Sequence, residues 1–217
     1  MKFKVLLLSA FALLSTIPSL AQPMSPKREF RGAWIQCVNG QFTGLGRDKI
    51  QQTLTYQLDE LKKSGINAIL FQVRPEADAL YQSSLEPWSR FLTGQQGRAP
   101  QPYWDPLAWM IDQCHSRGME LHAWINPFRV APKLDYVCAE NHVSKQHPDW
   151  TIKYSDKILL DPGRHETRQY IDSVICEIAS NYDVDGIHFD DYFYPYPVKG
   201  ETFVDTASYA ANNPLNL

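Results

Sequence analysis

Asn67-Ala-Ile-Leu-Phe-Gln-Val73 is an apolar run of strand-forming residues, and helical patterns lie on both sides of it. Before the run, apolar residues recur at helical spacing from Asp48 to Ser64, and Gly65 ends the pattern. After the run and a long loop, a second helix starts at Asp105-Pro106, an N-cap followed by proline, and ends near Arg117-Gly118. A buried strand between two helices predicts a unit of a parallel α/β fold.

The same alternation continues along the chain. The other predicted strands are Arg31–Gln36, Glu120–Pro127 and Asp185–Asp191, and a third helix covers about His165–Asn181. This order predicts an α/β fold of the TIM-type (β/α)8 barrel class, which needs eight βα units and about 250 residues. Only about the first four units are present, so we expect a partial barrel from a truncated product. An alternative is that two copies pair as half-barrels.

The first residues have the pattern of a secretion signal. Lys2 and Lys4 precede an apolar run from Val5 to Leu14, and a small-residue cleavage pattern ends at Ala21. We therefore expect a signal peptide at 1–21, a short linker at 22–28 and a barrel domain at 29–217. The mature protein is then secreted or periplasmic, with no membrane anchor after cleavage.

Charge and cysteine spacing exclude several classes of partner. The formal net charge is −3, with no Lys/Arg cluster beyond the signal, so no nucleic-acid partner is predicted. None of the four cysteines has CxxC spacing, which gives no support to a zinc or redox motif, and we predict no cofactor and no metal. A disulfide between Cys37 and Cys138 is left open.

Polar residues recur at the predicted C-terminal strand ends. In the fourth strand Ile187 and Phe189 form the apolar set, so His188 and Asp190 point inward. Active sites of these barrels lie at this rim, so the inward residues are candidate substrate-binding groups. The alternative is an internal hydrogen-bond network. The same alternation directs inward Gln36, Arg74, His122 and Asn126.

Aromatic residues crowd the loops at the same rim. Trp88 and Trp104 lie in the loop after the second strand, and Tyr192 follows the fourth. Sugar rings stack on such side chains, which favours a carbohydrate partner. Loop aromatics can equally cover the core, so both interpretations stay open.

Several segments form a set that is more specific than any single motif. They include Arg31-Gly-Ala-Trp34, Phe71-Gln-Val-Arg-Pro-Glu-Ala-Asp-Ala-Leu-Tyr81, His122-Ala-Trp-Ile-Asn-Pro-Phe-Arg129 and Asp185-Gly-Ile-His-Phe-Asp-Asp-Tyr192. On these segments, from about Glu29 to Pro197, the chain resembles the bacterial secreted proteins called glycosyl-hydrolase-like family ten. The resemblance implies a TIM-barrel glycosidase that hydrolyses O-glycosyl bonds of a poly- or oligosaccharide.

The resemblance also suggests roles at the site. Asp185-Gly-Ile-His-Phe-Asp190 is similar to the fourth-strand motif of α-amylase-like barrels, whose last Asp is the nucleophile, so Asp190 is expected to be the nucleophile or stabiliser. Asp191 is a candidate substrate-binding neighbour, and Arg74 is expected to keep Asp190 ionised. The general acid in such barrels follows the fifth strand, beyond the end of this chain. Glu76 and Asp78 are weak substitutes, so the fragment alone is expected to be inactive.

Two other functions are kept. One is a non-catalytic carbohydrate-binding barrel that retains the aromatic rim without the acid. The other is a metal-dependent hydrolase, in which His122, His188 and Asp190 hold a divalent ion. No HxH or HExxH spacing supports the metal alternative.

Overall fold

The computed structural model describes residues 29–191 and 193–213. The predicted signal peptide (1–21), the linker (22–28) and Tyr192 lie outside these residues. Within them, no helix has both the length and the apolar character needed to cross a membrane.

A parallel sheet of four strands organises the described residues. The predicted α/β class with a parallel sheet is therefore confirmed, while closure into a partial TIM-type barrel stays a prediction. In their order across the sheet, the strands are β1 (Gly32–Ile35), β2 (Ala68–Arg74), β3 (Glu120–Ile125) and β7 (Gly186–Phe189).

The predicted helices form within a few residues of their expected bounds. Asp105 caps one of them through a side-chain oxygen that accepts from the Ala108 N–H at 3.0 Å, as an N-cap before proline should. The three predicted helices are α1 (Arg47–Lys63), α3 (Pro106–His115) and α5 (His165–Asn181). Three shorter helices were not predicted: α2 (Arg90–Thr93), α4 (Val143–Gln146) and α6 (Thr206–Asn212).

The stretch between β3 and α5 is more ordered than the expected long loop. It forms an antiparallel sheet in the order β4-β6-β5, from β4 (Arg129–Ala131), β5 (Thr151–Tyr154) and β6 (Lys157–Leu160). These strands have only three or four residues each, and the sequence pattern did not identify them.

The helix-covered face of the parallel sheet holds the main core. The alternation of apolar residues predicted this face correctly for β2 and β3. The apolar residues of α1 that pack against it are fully buried too. This burial removes apolar surface from water and so stabilises the sheet. The core residues of these three elements are Ile69, Phe71, Val73, Leu121, Ala123, Ile125, Ile50, Leu54 and Leu58.

The opposite face of the sheet carries Trp34, His122 and His188, as the alternation predicted. Trp34 is 64% exposed and donates its indole N–H to His188 Nε2 at 3.1 Å. His122 lies against Gly186 on the adjacent strand, where an added Cβ would come within 2.5 Å of the His122 ring. The two faces therefore differ sharply, since one is a dry core and the other bears polar and aromatic groups open to solvent.

Candidate functional site

Asp190 follows the last residue of β7, at the C-terminal edge of the parallel sheet. The residue is half-buried, yet its Oδ1 is shielded from solvent and has no hydrogen-bond partner among the described residues. Buried polar atoms are normally satisfied, so an orphaned carboxylate oxygen at a strand end suggests a place for a ligand. This is the position at which parallel α/β sheets bind substrates.

Two atoms on the neighbouring strand share this property. Trp124 Nε1 and Asn126 Nδ2 are buried donors with no partner among residues 29–191 and 193–213. Asn126 and Asp190 each lie one residue past Ile125 and Phe189, which pair across β3 and β7. Two unfilled donors and one unfilled acceptor thus occur at adjacent strand ends, so the alternative of a fully satisfied internal network does not fit these atoms.

His188 lies two residues before Asp190 and on the same face of the sheet, so it is further from the C-terminal end of the strand. Burial lowers the pKa of His188, while the charge of Asp190 raises it and His122 lowers it further. Its Nε2 accepts the Trp34 indole N–H, so the ring is neutral with its proton on Nδ1. His122 points toward the opposite end of the strand, with Nε2 3.0 Å from Glu120 Oε2.

Arg74 differs from the expectation. The register of β2 against β3 shifts between Gln72 and Arg74, so Arg74 pairs with Ile125, a residue of the helix-covered face. Its guanidinium is fully buried and binds both Glu86 oxygens, the closest contact being 2.6 Å, and Tyr170 of α5 donates to the same carboxylate. The expectation that Arg74 faces the interior and keeps Asp190 ionised is therefore wrong, because the bulge directs it to Glu86.

The other predicted residues are spread around the sheet. Trp104 is 7% exposed in the core and lies edge-on to Trp109, and Trp88 packs against that core beside Tyr103, so both cover the fold. Gln36 is half-buried at the edge strand β1 and accepts from Asn39 at 3.4 Å. Asp191 is exposed next to Asp190.

A cleft of about 560 Å³ opens beyond the C-terminal ends of β1, β2 and β3. The loop after β1, the loop after β2 and the antiparallel sheet line it. Asn126 belongs to this cleft and also neighbours Asp190 in register, so it connects the two. The charged lining residues, which the sequence did not single out as a group, are Glu76, Arg90, Arg129 and Lys157.

The backbone around Glu76 is held from several sides. Asp78 accepts from the Glu76 N–H and from Gln96 Nε2, and His142 Nε2 lies 2.9 Å from the Glu76 carbonyl oxygen. Ala77 between them has φ +49, an uncommon value for a residue with a side chain. Glu76 is therefore fixed where it lines the cleft. The Arg-Pro-Glu-Ala-Asp motif at 74–78 was the only sequence signal for it.

Cysteines and acidic groups give no metal centre among the described residues. Cys37 and Cys138 are both free thiols, so the disulfide left open is not formed. In the same residues, no group of three or more His, Cys, Asp or Glu side chains is arranged to hold a metal ion. The metal-dependent alternative built on His122, His188 and Asp190 therefore has no support among the described residues.

The chain is similar to a known protein family. The sequence model described as "Glycosyl hydrolase-like 10" matches residues 29–214. Among curated proteins, the chain is 40% identical over 200 residues to "Glycosyl hydrolase YngK" of Bacillus subtilis, covering 89% of this chain and 39% of that protein. It is 38% identical over 189 residues to "Glycosyl hydrolase DigH" of Escherichia coli, covering 77% of this chain and 43% of that protein. The chain thus spans less than half the length of either relative.

A solved structure shares the fold at low sequence identity. The α-L-fucosidase isoenzyme 2 from Paenibacillus thiaminolyticus superposes with a TM-score of 0.53 and 14% identity, over 76% of this chain and 24% of that one. This likeness supports an α/β architecture with a parallel sheet, and it assigns no residue of the site.

Proposed function

The chain belongs to the glycosyl hydrolase-like 10 family, and from that premise we propose that it binds a glycan at the C-terminal ends of β1, β2, β3 and β7 and contributes Asp190 to hydrolysis of a glycosidic bond. The observation that carries the proposal is the buried Asp190 Oδ1 with no partner among the described residues. A carboxylate in that state at the rim of a parallel sheet is ready to meet developing positive charge on a sugar ring.

The residues next to Asp190 suit recognition of sugar hydroxyls. The orphaned Asn126 amide and Trp124 indole are donors toward hydroxyl oxygens or ring oxygens. His188 accepts the Trp34 indole N–H and is neutral, so it adds no positive charge next to the one that develops on the sugar ring. In the proposed reaction Asp190 attacks or stabilises the oxocarbenium-like centre, and a second carboxyl about 5 to 9.5 Å away protonates the leaving oxygen.

The proton donor is proposed to come from outside the described residues. Both oxygens of Glu76 bind Arg90, at 2.9 and 3.1 Å, an arrangement that suits a fixed charge better than an acid. Burial raises the pKa of Asp78 to about 7, but its side chain is fully buried behind the cleft lining and bound to Gln96. These contacts leave neither group placed to protonate a leaving sugar.

The orphaned polar atoms also favour a second function for this chain by itself, which is carbohydrate binding without turnover. Such a protein would keep the orphaned donors and lack the acid. We further propose that residues 1–21 direct the chain to the periplasm or out of the cell. Bacterial cell-wall and extracellular glycans are found in these locations.

Asp190→Asn tests the catalytic assignment, with Asp191→Asn as the matched control. Product release is measured by chromatography from cell-wall glycan, α-glucan and mucin-type glycan, using this chain and a version extended to its relatives' length. Loss of the nucleophile should reduce turnover by about three orders of magnitude or more, whereas the exposed Asp191 should change it less.

The outcomes separate the proposals. Equal loss at both positions in folded protein would show that the strand register is out by one residue. Undiminished turnover by Asp190→Asn would remove Asp190 from the reaction. Glycan binding by calorimetry with no product from either length of chain would establish the binding function instead.

A further inference from the structure

Two tryptophans contact the His188 ring on the open face of the parallel sheet, the face opposite the helices. The Trp34 ring centroid lies 5.9 Å from that of His188, and Trp124 lies edge-on to the same ring at 6.3 Å. Trp34 donates its indole N–H to His188 Nε2 at 3.1 Å, whereas Trp124 Nε1 is buried with no partner among the described residues. The two indoles therefore act differently on one imidazole.

The hydrogen bond joins the two edge strands of the sheet. β1 and β7 lie at opposite edges, with β2 and β3 between them. Adjacent strands are about 4.8 Å apart, so strands separated by two others lie about 14 Å apart along the sheet. Trp34 and His188 therefore meet across the open face, and His188 is held from outside its own pair of strands.

The contact decides where the His188 proton lies. An indole N–H can only donate, so Nε2 is the acceptor and the ring proton is on Nδ1. Within residues 29–191 and 193–213, Nδ1 makes no hydrogen bond. Asp190 lies two residues further along on the same face, and its charge reaches His188. Nδ1–H is thus an unused donor beside the orphaned Asp190 Oδ1.

The other groups around His188 have opposing effects on its charge. Burial lowers the pKa of His188, the charge of Asp190 raises it, and His122 on β3 lowers it. β2 has the apolar Leu70 at the level of Trp34 and His122 in the register. The Trp34 N–H favours the neutral ring, because a donor bound to Nε2 competes with protonation of that nitrogen.

We propose that Trp34 is a positioning residue that acts through His188: its indole N–H keeps the imidazole proton on Nδ1, as a donor beside Asp190 for a sugar hydroxyl. The inference rests on the proposed function, because the role is defined by the reaction assigned to Asp190. Without the indole N–H, His188 takes up a second proton more readily. An imidazolium beside Asp190 would offset the carboxylate charge that meets the sugar ring.

Nitrogen NMR on the whole chain tests the hydrogen bond. It distinguishes protonated from unprotonated ring nitrogens, and His188→Gln identifies the His188 signals. In the parent, Nδ1 should carry the proton and Nε2 should not. Replacing the Trp34 indole by its benzothienyl isostere keeps the shape and removes the N–H. The proton should then distribute over both nitrogens, and the titration midpoint of His188 should rise by about one pH unit.

Trp124→Phe is the matched control for NMR, because it changes an indole that packs against the same ring without donating to it. It should leave the proton on Nδ1, whereas Trp34→Phe should behave like the isostere. A parent with the proton on Nε2 overturns the inference. An isostere that changes neither the proton position nor the titration of His188 overturns it too.

The pH profile of turnover tests the link to Asp190. For a glycan whose hydrolysis depends on Asp190, the acidic limb of kcat/KM should move up by about one pH unit in Trp34→Phe. Trp150→Phe is the kinetic control, since it changes an indole that stacks on another histidine, His147, at 3.8 Å.

Failure of the inference and failure of the proposed function give different results. A changed proton position with an unchanged acidic limb overturns the positioning role and leaves the catalytic assignment of Asp190 standing. Absence of any Asp190-dependent turnover removes the proposed function, and the reaction role of Trp34 with it. The NMR result on His188 stands in either case.

Discussion

Arg74 and Asp190 are charged residues at the C-terminal ends of two strands of one sheet, and they are treated in opposite ways. Arg74 is fully buried with Glu86, Tyr170 and two backbone carbonyl oxygens arranged around its ion pair. Asp190 is half-buried and keeps an oxygen with no partner among the described residues. A buried charge with every partner in place holds the fold together, whereas one with an unfilled position is available to a ligand.

Removing a partner from the satisfied end should have the largest effect. Glu86→Ala leaves the Arg74 guanidinium buried without its counter-charge, so the free energy of unfolding should fall by about 3–5 kcal/mol. Urea denaturation measures the change. The control is Glu60→Ala, which breaks an exposed ion pair to Lys63 and should cost less than about 1 kcal/mol.

A double variant sharpens this prediction. Arg74→Met with Glu86→Leu removes both charges, and it should be less destabilised than Glu86→Ala alone. If Glu86→Ala and Glu60→Ala lower the free energy of unfolding by similar amounts, the Arg74–Glu86 pair does not have the structural role assigned to it.

Asp78 lies between the two extremes, because it is buried and hydrogen-bonded but forms no ion pair with another described residue. Burial raises its pKa to about 7 in the folded chain, against about 3.9 in an unfolded one. The folded state therefore holds this proton more tightly, and the stabilisation is complete below about pH 4 and lost as the pH rises through about 7. Asp78→Asn should flatten the fall in stability over that window, by on the order of 4 kcal/mol.

Denaturation curves collected across the pH window check this outcome. The control is Asp48→Asn, which removes a carboxyl whose side chain is 86% exposed. If the two variants behave alike, the carboxyl of Asp78 is already ionised in the folded protein and the polar network around Glu76 must be reconsidered.

The smallest effect on stability is expected at Asp190. Asp190→Asn keeps the side-chain shape and removes a charge that has no counter-ion contact in the described residues, so the free energy of unfolding should stay within about 1 kcal/mol or rise. Thermal melting measures it. A loss above about 2 kcal/mol would mean that Asp190 holds the structure as Arg74 does.

The sequence predicted the strand and helix order and most of the faces of the parallel sheet. Alternation placed Trp34 and His188 on one face because β1 and β7 are regular where these residues lie, and the structure joins them by a hydrogen bond. The same rule failed at Arg74, because a register shift at one residue moves every later side chain to the other face. A bulge of this kind has no signature in a single sequence.

The cleft was harder to predict than the strands. Glu76, Asn126 and Lys157 come from separate parts of the chain, and the antiparallel sheet that brings Lys157 to the cleft was expected to be loop. Trp104 was a candidate sugar contact because it lies in the loop after the second strand, but loop aromatics can equally cover the core, and Trp104 does so. Charge and aromaticity indicate the kind of chemistry, while position depends on tertiary contacts.

The close approach of Gly186 to His122 has an evolutionary consequence. An added Cβ at 186 would overlap the imidazole on the adjacent strand, so the two positions cannot drift independently. Related chains with a larger residue at 186 should carry a smaller one at 122, and those with an aromatic or imidazole ring at 122 should retain glycine at 186. The glycine of the Asp185-Gly-Ile-His-Phe-Asp190 motif is then maintained by its neighbour across the sheet, and this pair of positions should covary among homologues.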